Sequence, residues 1–268
     1  MRDSGLLGFD VGNTRVKAAV LVNGRVTESQ WAVHGSDEDL QRLVQEFAVA
    51  YRNLDIAIAS VNSSVSDRLI RALEDHGLAH QRIFYSDGSL FQQGLLRPGV
   101  ETPASTGVDR ILSAVAALER SAAGAVVVVD CGSAVTVNLT TRDRVFQGGA
   151  IFAGPGIMAS ALHRGTALLP NVPVGEKPPA LGRSTTAAIG AGVFYSIVGG
   201  IDRLIDEIVM SGAANIPNEK ANVFLTGGAA PILSAGIRTP HVYSQFLVLE
   251  GLWHAVAHVA ERTDEKRS

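Results

Sequence analysis

Two short stretches of this chain set an acid, a glycine and small polar side chains in the same order. Asp10-Val11-Gly12-Asn13-Thr14 follows the apolar run Leu6 to Phe9, and Asp130-Cys131-Gly132-Ser133 follows Ala125 to Val129, 120 positions later. Each leads into a β-prone run and a polar turn, Asn23-Gly24 in the first copy and Arg142-Asp143 in the second, and each turn precedes an Arg-Val pair. A hairpin tip of this composition points backbone N–H groups and small hydroxyls at an anion. Its leading aspartate suits Mg²⁺, which prefers one or two carboxylates supplemented by phosphate oxygens. Lys17, seven residues after Asp10, lies where an ammonium reaches a phosphate. One such hairpin reads equally well as an Asx-turn. Two copies, joined by Thr226-Gly227-Gly228 at the end of another apolar run, favour phosphate handling. No Walker A pattern and no complete G-x-G-x-x-G after a strand occurs, which argues against P-loop and Rossmann nucleotide binding.

A third stretch, Gly107-Val108-Asp109-Arg110, opens a helical pattern. A carboxylate there sits at a helix N-terminus facing a cleft, and Asp109 is the candidate general base. The plain alternative is a first-turn aspartate favoured by the helix dipole. Arg110 has the same two readings, a substrate contact or a solvated helix arginine.

These residues need elements to hold them. The pattern predicts strands at 6–9, 16–22, 54–61, 83–85, 125–129, 135–140 and 222–225, and an Asn23-Gly24 type I′ turn. Helices are expected over 37–51, 66–76, 109–120, 157–163 and 249–262, with Ile111, Leu112, Val115 and Leu118 as the buried stripe of the third. Residues 87–106 read as a long surface segment and 148–156 as a glycine-rich loop. Residues 185–209 read as a helix broken at Gly199-Gly200. The repeated opening, half a chain apart, predicts a duplication: an α/β protein of two like domains, 1–121 and 122–268, facing one another.

With 46% apolar and 18% charged residues the chain can bury a substantial core. A net charge of -3 gives no reason to expect nucleic acid. The single cysteine, Cys131, fits a reducing compartment. The early acid at Asp3 does not suit a signal peptide, and no apolar run approaches the ~20 residues of a membrane helix. A soluble cytoplasmic protein is expected. His254 and His258 have i, i+4 spacing but no third ligand in view. Trp31 and Trp253 read as core or interface anchors.

The two hairpins and the Gly-Gly turn resemble the ATPase core of the actin, Hsp70 and sugar-kinase superfamily, and the whole set resembles type III pantothenate kinases over nearly the full chain. The resemblance implies two actin-like, ribonuclease H-like ATPase domains around a nucleotide cleft. It implies that the first phosphate motif is Asp10, Val11, Gly12, Asn13, Thr14, Arg15, Val16 and Lys17, with Asp10 near Mg²⁺. Ser133, Gly227 and Gly228 would contact ATP, and Asp130 would ligate a monovalent cation, K⁺ or NH₄⁺. Gly107, Val108, Asp109, Arg110 and Thr185 would bind pantothenate, with Asp109 taking the proton from its primary hydroxyl. A homodimer is implied, with the pantothenate pocket completed at the subunit interface. Val100 stands where these enzymes usually carry a pocket Tyr, and Ser133 where Thr is usual. The motif Gly-Gly-x-Ile-x-Pro-Gly appears as Gly148 to Gly154 with Pro155-Gly156 displaced downstream. The rival functions are a kinase of this fold for another small alcohol or a sugar, and a non-catalytic accessory relative.

Overall fold

The computed structural model describes residues 5–33, 36–78, 82–122, 124–173, 175–210 and 221–265. Two compact units emerge: Met1–Arg120 together with Phe246–Ser268, and Ser121–Gln245.

In the first unit, β1 (Leu6–Val11), β2 (Arg15–Val22) and β3 (Arg25–Val33) form an antiparallel meander. The turn between β2 and β3 carries positive φ at both central residues, 51° at Asn23 and 76° at Gly24, the conformation that matches strand twist in tight hairpins. Helix α1 (Asp37–Glu46) leads to β4 (Asp55–Ser60), and α2 (Ser63–Asp75) to β5 (Arg82–Tyr85). Both β4 and β5 run parallel, giving the order β3-β2-β1-β4-β5.

Strand side chains alternate between faces, and the alternation assigns each face its cover. Leu7, Phe9, Val11, Val16, Ala18, Ile56 and Ile58 form one cluster with Leu40, Leu43, Leu69 and Leu73 of α1 and α2. The opposite face, that of Gly8 and Asp10, is covered by α7 (Leu247–Glu265), where a Cβ on Gly8 would lie 3.1 Å from Leu249. Helix α3 (Val108–Arg120) packs along α7 and β4. Squeezed between them, α3 is buried at almost every position from Val108 to Ala117 rather than along the narrow stripe its periodicity suggests, and Leu118 is only half-buried. The chain between β5 and α3 holds the two-residue strand β6 (Arg97–Pro98) and two 3₁₀ turns. It is not a simple surface segment: Leu90 and Leu96 are 1% exposed, and a Cβ on Gly88 would collide with Pro103 O.

The second unit repeats the plan. Strands β7 (Val126–Cys131), β8 (Ala134–Thr140) and β9 (Val145–Ala153) form the meander, and β10 (Asn222–Thr226) and β11 (Val242–Tyr243) continue it in parallel. The order β9-β8-β7-β10-β11 is that of the first unit. Even the irregularity in the meander recurs, at Val20/Leu21 and at Leu139/Thr140. Helix α4 (Pro155–Gly165) follows β9, so Gly148 and Gly149 belong to a strand and not to a loop. A Cβ on Gly149 would fall 1.8 Å from Val137 O, which is why the strand carries glycine there.

Helix α5 (Thr185–Met210) runs unbroken through Gly199 and Gly200, because Ile189, Val193, Phe194, Ile197, Ile201 and Ile205 hold it on the sheet. Packing outweighs the glycine cost of about 1 kcal/mol per residue. It is also the one helix among the described residues long and apolar enough to cross a membrane, with mean hydropathy 1.4 over 18 residues. That amends the expectation of no such run, although much of its apolarity serves the core of this unit. Helix α6 (Ala230–Ser234) follows β10.

The C-terminal helix departs from the expected division at residue 121: α7 lies with the first unit. Gly251 lets it close on α3, since a Cβ there would stand 2.0 Å from Leu112 O.

Candidate active site

The first hairpin closes on itself through Gly12 N donating to Arg15 O at 3.1 Å. Asp10 and Lys17 are direct partners across β1 and β2, and their side chains pair at 3.5 Å. Both are only partly exposed, at 15% and 21%, so the pair fixes the carboxylate at the hairpin's base. The tip residues Asn13 and Thr14 are exposed, while Val11 and Val16 are anchored in the core. Lys17, expected to reach a phosphate, thus starts from a contact with Asp10.

Asp109 lies on the first turn of α3, on the side of the sheet that carries Asp10. Its Oδ1 accepts the backbone N–H of Arg110 at 2.8 Å, and Gly107 O accepts from Arg110 N and Ile111 N to start the helix. Burial, and after it the negative charge of Asp10, raise the Asp109 pKa. The Arg110 N–H and guanidinium pull the other way and do not prevail. Arg110, half-buried beside it, has its own pKa lowered by loss of water, opposed by the Asp109 charge. A carboxylate raised by desolvation and a like charge is a better proton acceptor than a solvated one, the condition asked of a general base.

The second hairpin is braced more heavily. Gly132 N donates to Ala134 O at 3.0 Å, as Gly12 does in the first, but the loop is one residue shorter. Gly154, at the end of β9, donates its N–H to Ser133 O at 2.9 Å, and its Cβ would meet Gly132 O at 2.3 Å. Gly227, with φ of 96°, presses from the other side: a Cβ there would lie 2.4 Å from Asp130 Oδ1 and 2.6 Å from Cys131 N. Ala229 N then donates to Cys131 O at 2.8 Å. Asp130 is flanked in register by Thr136 and Thr226, so three oxygen-bearing side chains share one row. Such oxygens suit a hard cation. Ser133 and Gly228 are exposed at the hairpin and turn. Cys131 is buried, with its thiol pKa pushed up by burial first and by Asp130 second, which keeps it an unreactive filler.

In the first unit the structure brings together Asp10, Lys17, Gly107, Asp109 and Arg110; in the second, Asp130, Ser133 and the Gly227 turn. Thr185 begins α5 exposed and Val100 is half-buried; neither contacts those clusters by any recorded hydrogen bond among the described residues. Sequence reading placed Gly154 in a glycine-rich motif without its tight fit on the second hairpin, which shows only in three dimensions, and gave no part to Thr136 and Thr226 as neighbours of Asp130. His258 Nε2 donates to Gln93 O, 2.9 Å away, and no cluster of three or more His, Cys, Asp or Glu able to hold a metal occurs among the described residues.

Comparison with known proteins agrees with this layout. The family model for type III pantothenate kinase matches residues 6–207. A type III pantothenate kinase of Anaeromyxobacter dehalogenans is 32% identical over 255 residues, covering 92% of this chain and 96% of that protein. One from Listeria monocytogenes is 32% identical over 264 residues, covering 92% and 95%. Among solved structures, a Baf-family protein of Campylobacter jejuni aligns with TM-score 0.55 at 18% identity, covering 95% of this chain and 99% of its own. MreB5 of Spiroplasma citri bound to AMPPNP aligns with TM-score 0.53 at 11% identity, covering 98% and 99%. The two structures establish an actin-like fold, and the sequence matches establish the family: the chain belongs to the type III pantothenate kinases.

Proposed function

We propose that the protein transfers the γ-phosphoryl group of ATP to the primary hydroxyl of pantothenate, giving ADP and 4′-phosphopantothenate, the first step towards coenzyme A. The observation that carries the reading is the placement of Asp109: a half-buried carboxylate at the start of α3, on Asp10's side of the sheet, with its pKa raised. Asp109 accepts the hydroxyl proton as the oxygen forms its bond to the γ-phosphorus, and the bond from phosphorus to the β,γ-bridging oxygen breaks to release ADP. Arg110 orients the acceptor's carboxylate end. The Asn13-Thr14 tip and Ser133 offer their N–H and O–H groups to phosphate oxygens. Phosphoryl transfer asks chiefly for positioning and charge stabilisation, so the hairpins carry the larger share.

Mg²⁺ fits Asp10, because a magnesium-nucleotide needs one or two protein carboxylates and no protein cage, in keeping with the lack of any three-ligand cluster among the described residues. It would neutralise charge on the phosphates. A monovalent cation, K⁺ or NH₄⁺, fits the oxygen row of Asp130, Thr136 and Thr226. A cytoplasmic homodimer is part of the same proposal, from the resemblance to this family.

The test is a coupled ADP-release assay with pantothenate, Mg²⁺-ATP and either K⁺ or Na⁺, with Asp109→Asn in parallel. Pantothenate-dependent turnover that requires K⁺ and collapses in the variant supports the reading. No turnover with pantothenate, in the presence of turnover with another small alcohol, would transfer the proposal to that substrate, with Val100 in place of the usual Tyr as the first residue to examine.

A further inference from the structure

Trp31 is 57% exposed on β3, the edge strand of the first sheet. A single exposed apolar ring is ordinary on a protein surface and carries no argument by itself. Its position is specific. Across the meander Asp10 pairs with Lys17, and Lys17 with Trp31, so the three form one row on one face of the sheet. Arg15 faces the same way two residues before Lys17, diagonal to Trp31, and its guanidinium carbon lies 5.1 Å from the indole centroid. That is within cation–π range.

The two cations of the hairpin are therefore held differently. Lys17 is matched by the Asp10 carboxylate at 3.5 Å. Arg15 is matched by a neutral ring, and it forms no ion pair among the described residues. A carboxylate partner would cancel the charge it holds, whereas a ring quadrupole restrains the guanidinium and leaves its full charge and its N–H fork for another anion. Arg15 also closes the loop, its carbonyl accepting Gly12 N–H at 3.1 Å, so the ring restrains both the side chain and the end of the loop that bears it.

We infer that Trp31 is a positioning residue for nucleotide binding: its indole face holds Arg15 beside the first hairpin with its charge uncancelled, ready for a phosphate oxygen of the nucleotide. The inference rests on the reading of that hairpin as a phosphate site. It assigns to Trp31, outside the Asp10 to Lys17 motif, a share in nucleotide affinity and none in the chemical step.

The experiment measures Mg²⁺-AMPPNP affinity by calorimetry, together with KM for ATP and kcat, in the wild type and in Trp31→Phe, Trp31→Leu, Arg15→Ala and the double variant Trp31→Leu/Arg15→Ala. Loss of an exposed cation–π contact corresponds to about a two- to fivefold weakening. Trp31→Leu, which keeps apolar bulk without the quadrupole, should weaken AMPPNP binding and raise KM for ATP by that factor with kcat unchanged. Trp31→Phe should recover most of the affinity, and the double variant should bind no worse than Arg15→Ala alone. Equal affinity in Trp31→Leu and wild type, or losses that add in the double variant, would overturn the role of Trp31 while leaving the hairpin's function intact. Failure of the wild type itself to bind the nucleotide would overturn the phosphate reading, and this inference with it.

Discussion

The Asp109 carboxylate occupies the space that a side chain at position 107 would need: a Cβ on Gly107 would lie 2.6 Å from Asp109 Oδ1. Glycine here is less about backbone freedom than about leaving room for the base to fold over the start of its own helix. Gly107→Ala should push the carboxylate away while leaving the helix intact, since alanine suits a helix start better than it suits this neighbour. A shift of about 1 Å in a reacting group can cost up to about 100-fold, so kcat should fall about 10- to 100-fold with the melting temperature little changed. Steady-state kinetics beside a thermal melt would check it; an unchanged kcat would mean that Asp109 does not act from this position.

The raised pKa of Asp109 makes a stability prediction with a definite sign. Between the ordinary value of 3.8 and the higher folded value, the folded chain holds more protons than the unfolded one. Stability from this group therefore falls as pH rises through that window, and the penalty is fully present above it. Asp109→Asn removes the ionisation, so the variant should be inactive yet more stable than the wild type at pH 7. The advantage should fade as pH falls through that window and be gone below 3.8. Because Asp10 is the second cause of the shift, the gain should be smaller in an Asp10→Asn background. Urea melts across pH, run as a double-mutant cycle, measure both statements. The acid limb of kcat/KM should likewise lie above the usual aspartate range.

Gly227 is constrained twice, by a φ of 96° and by the backbone of Cys131 and the carboxylate of Asp130 within 2.6 Å of a would-be Cβ. A β-carbon there brings left-handed strain, about 1–3 kcal/mol, and overpacking against atoms that cannot step aside, about 1–3 kcal/mol. Gly227→Ala should lose about 2–6 kcal/mol in denaturant unfolding and should also weaken AMPPNP binding. Gly228→Ala, at the exposed neighbour, should leave the unfolding free energy nearly unchanged. Equal effects of the two substitutions would show that the turn, and not its contact with the second hairpin, is what matters.

The sequence carried the meanders because local chemistry writes them: Asn23-Gly24 forces the I′ turn, and Asp-x-Gly after a buried run marks each hairpin. It carried the Asp109 helix because Gly107 ends one segment and an apolar period begins the next. It misjudged places where distant packing decides. Gly199 and Gly200 read as a break, yet the apolar face of α5 against its sheet keeps the helix whole. Gly148-Gly149 read as a loop, although Val137 O requires glycine within a strand at that point. Of the two readings of Trp31, core or interface anchor, the core one falls, because periodicity cannot show that its ring lies exposed beside Arg15. The oxygen row around Asp130 depends on the register with β10, a strand more than 90 residues away in the chain.

The C-terminal helix is the clearest such case and yields the last prediction. Nothing local in Leu247 to Glu265 distinguishes packing on the second unit from packing on the first. The deciding contact is Gly251 against Leu112 O, where a Cβ would come within 2.0 Å of the carbonyl oxygen and 2.5 Å of its carbon. Backbone atoms of a buried helix cannot yield as a side-chain tip can, so Gly251→Ala must separate α7 from α3. The expected cost is about 3 kcal/mol or more. Because α3 begins with Asp109, the damage should extend to the active site: kcat should fall even at temperatures where the variant remains folded. Hydrogen exchange would locate the effect, with protection lost along 108–120 and 247–262 and retained in β7, β8 and α5 of the second unit. Uniform loss of protection in both units would instead mean that the contact supports the whole chain rather than the first unit.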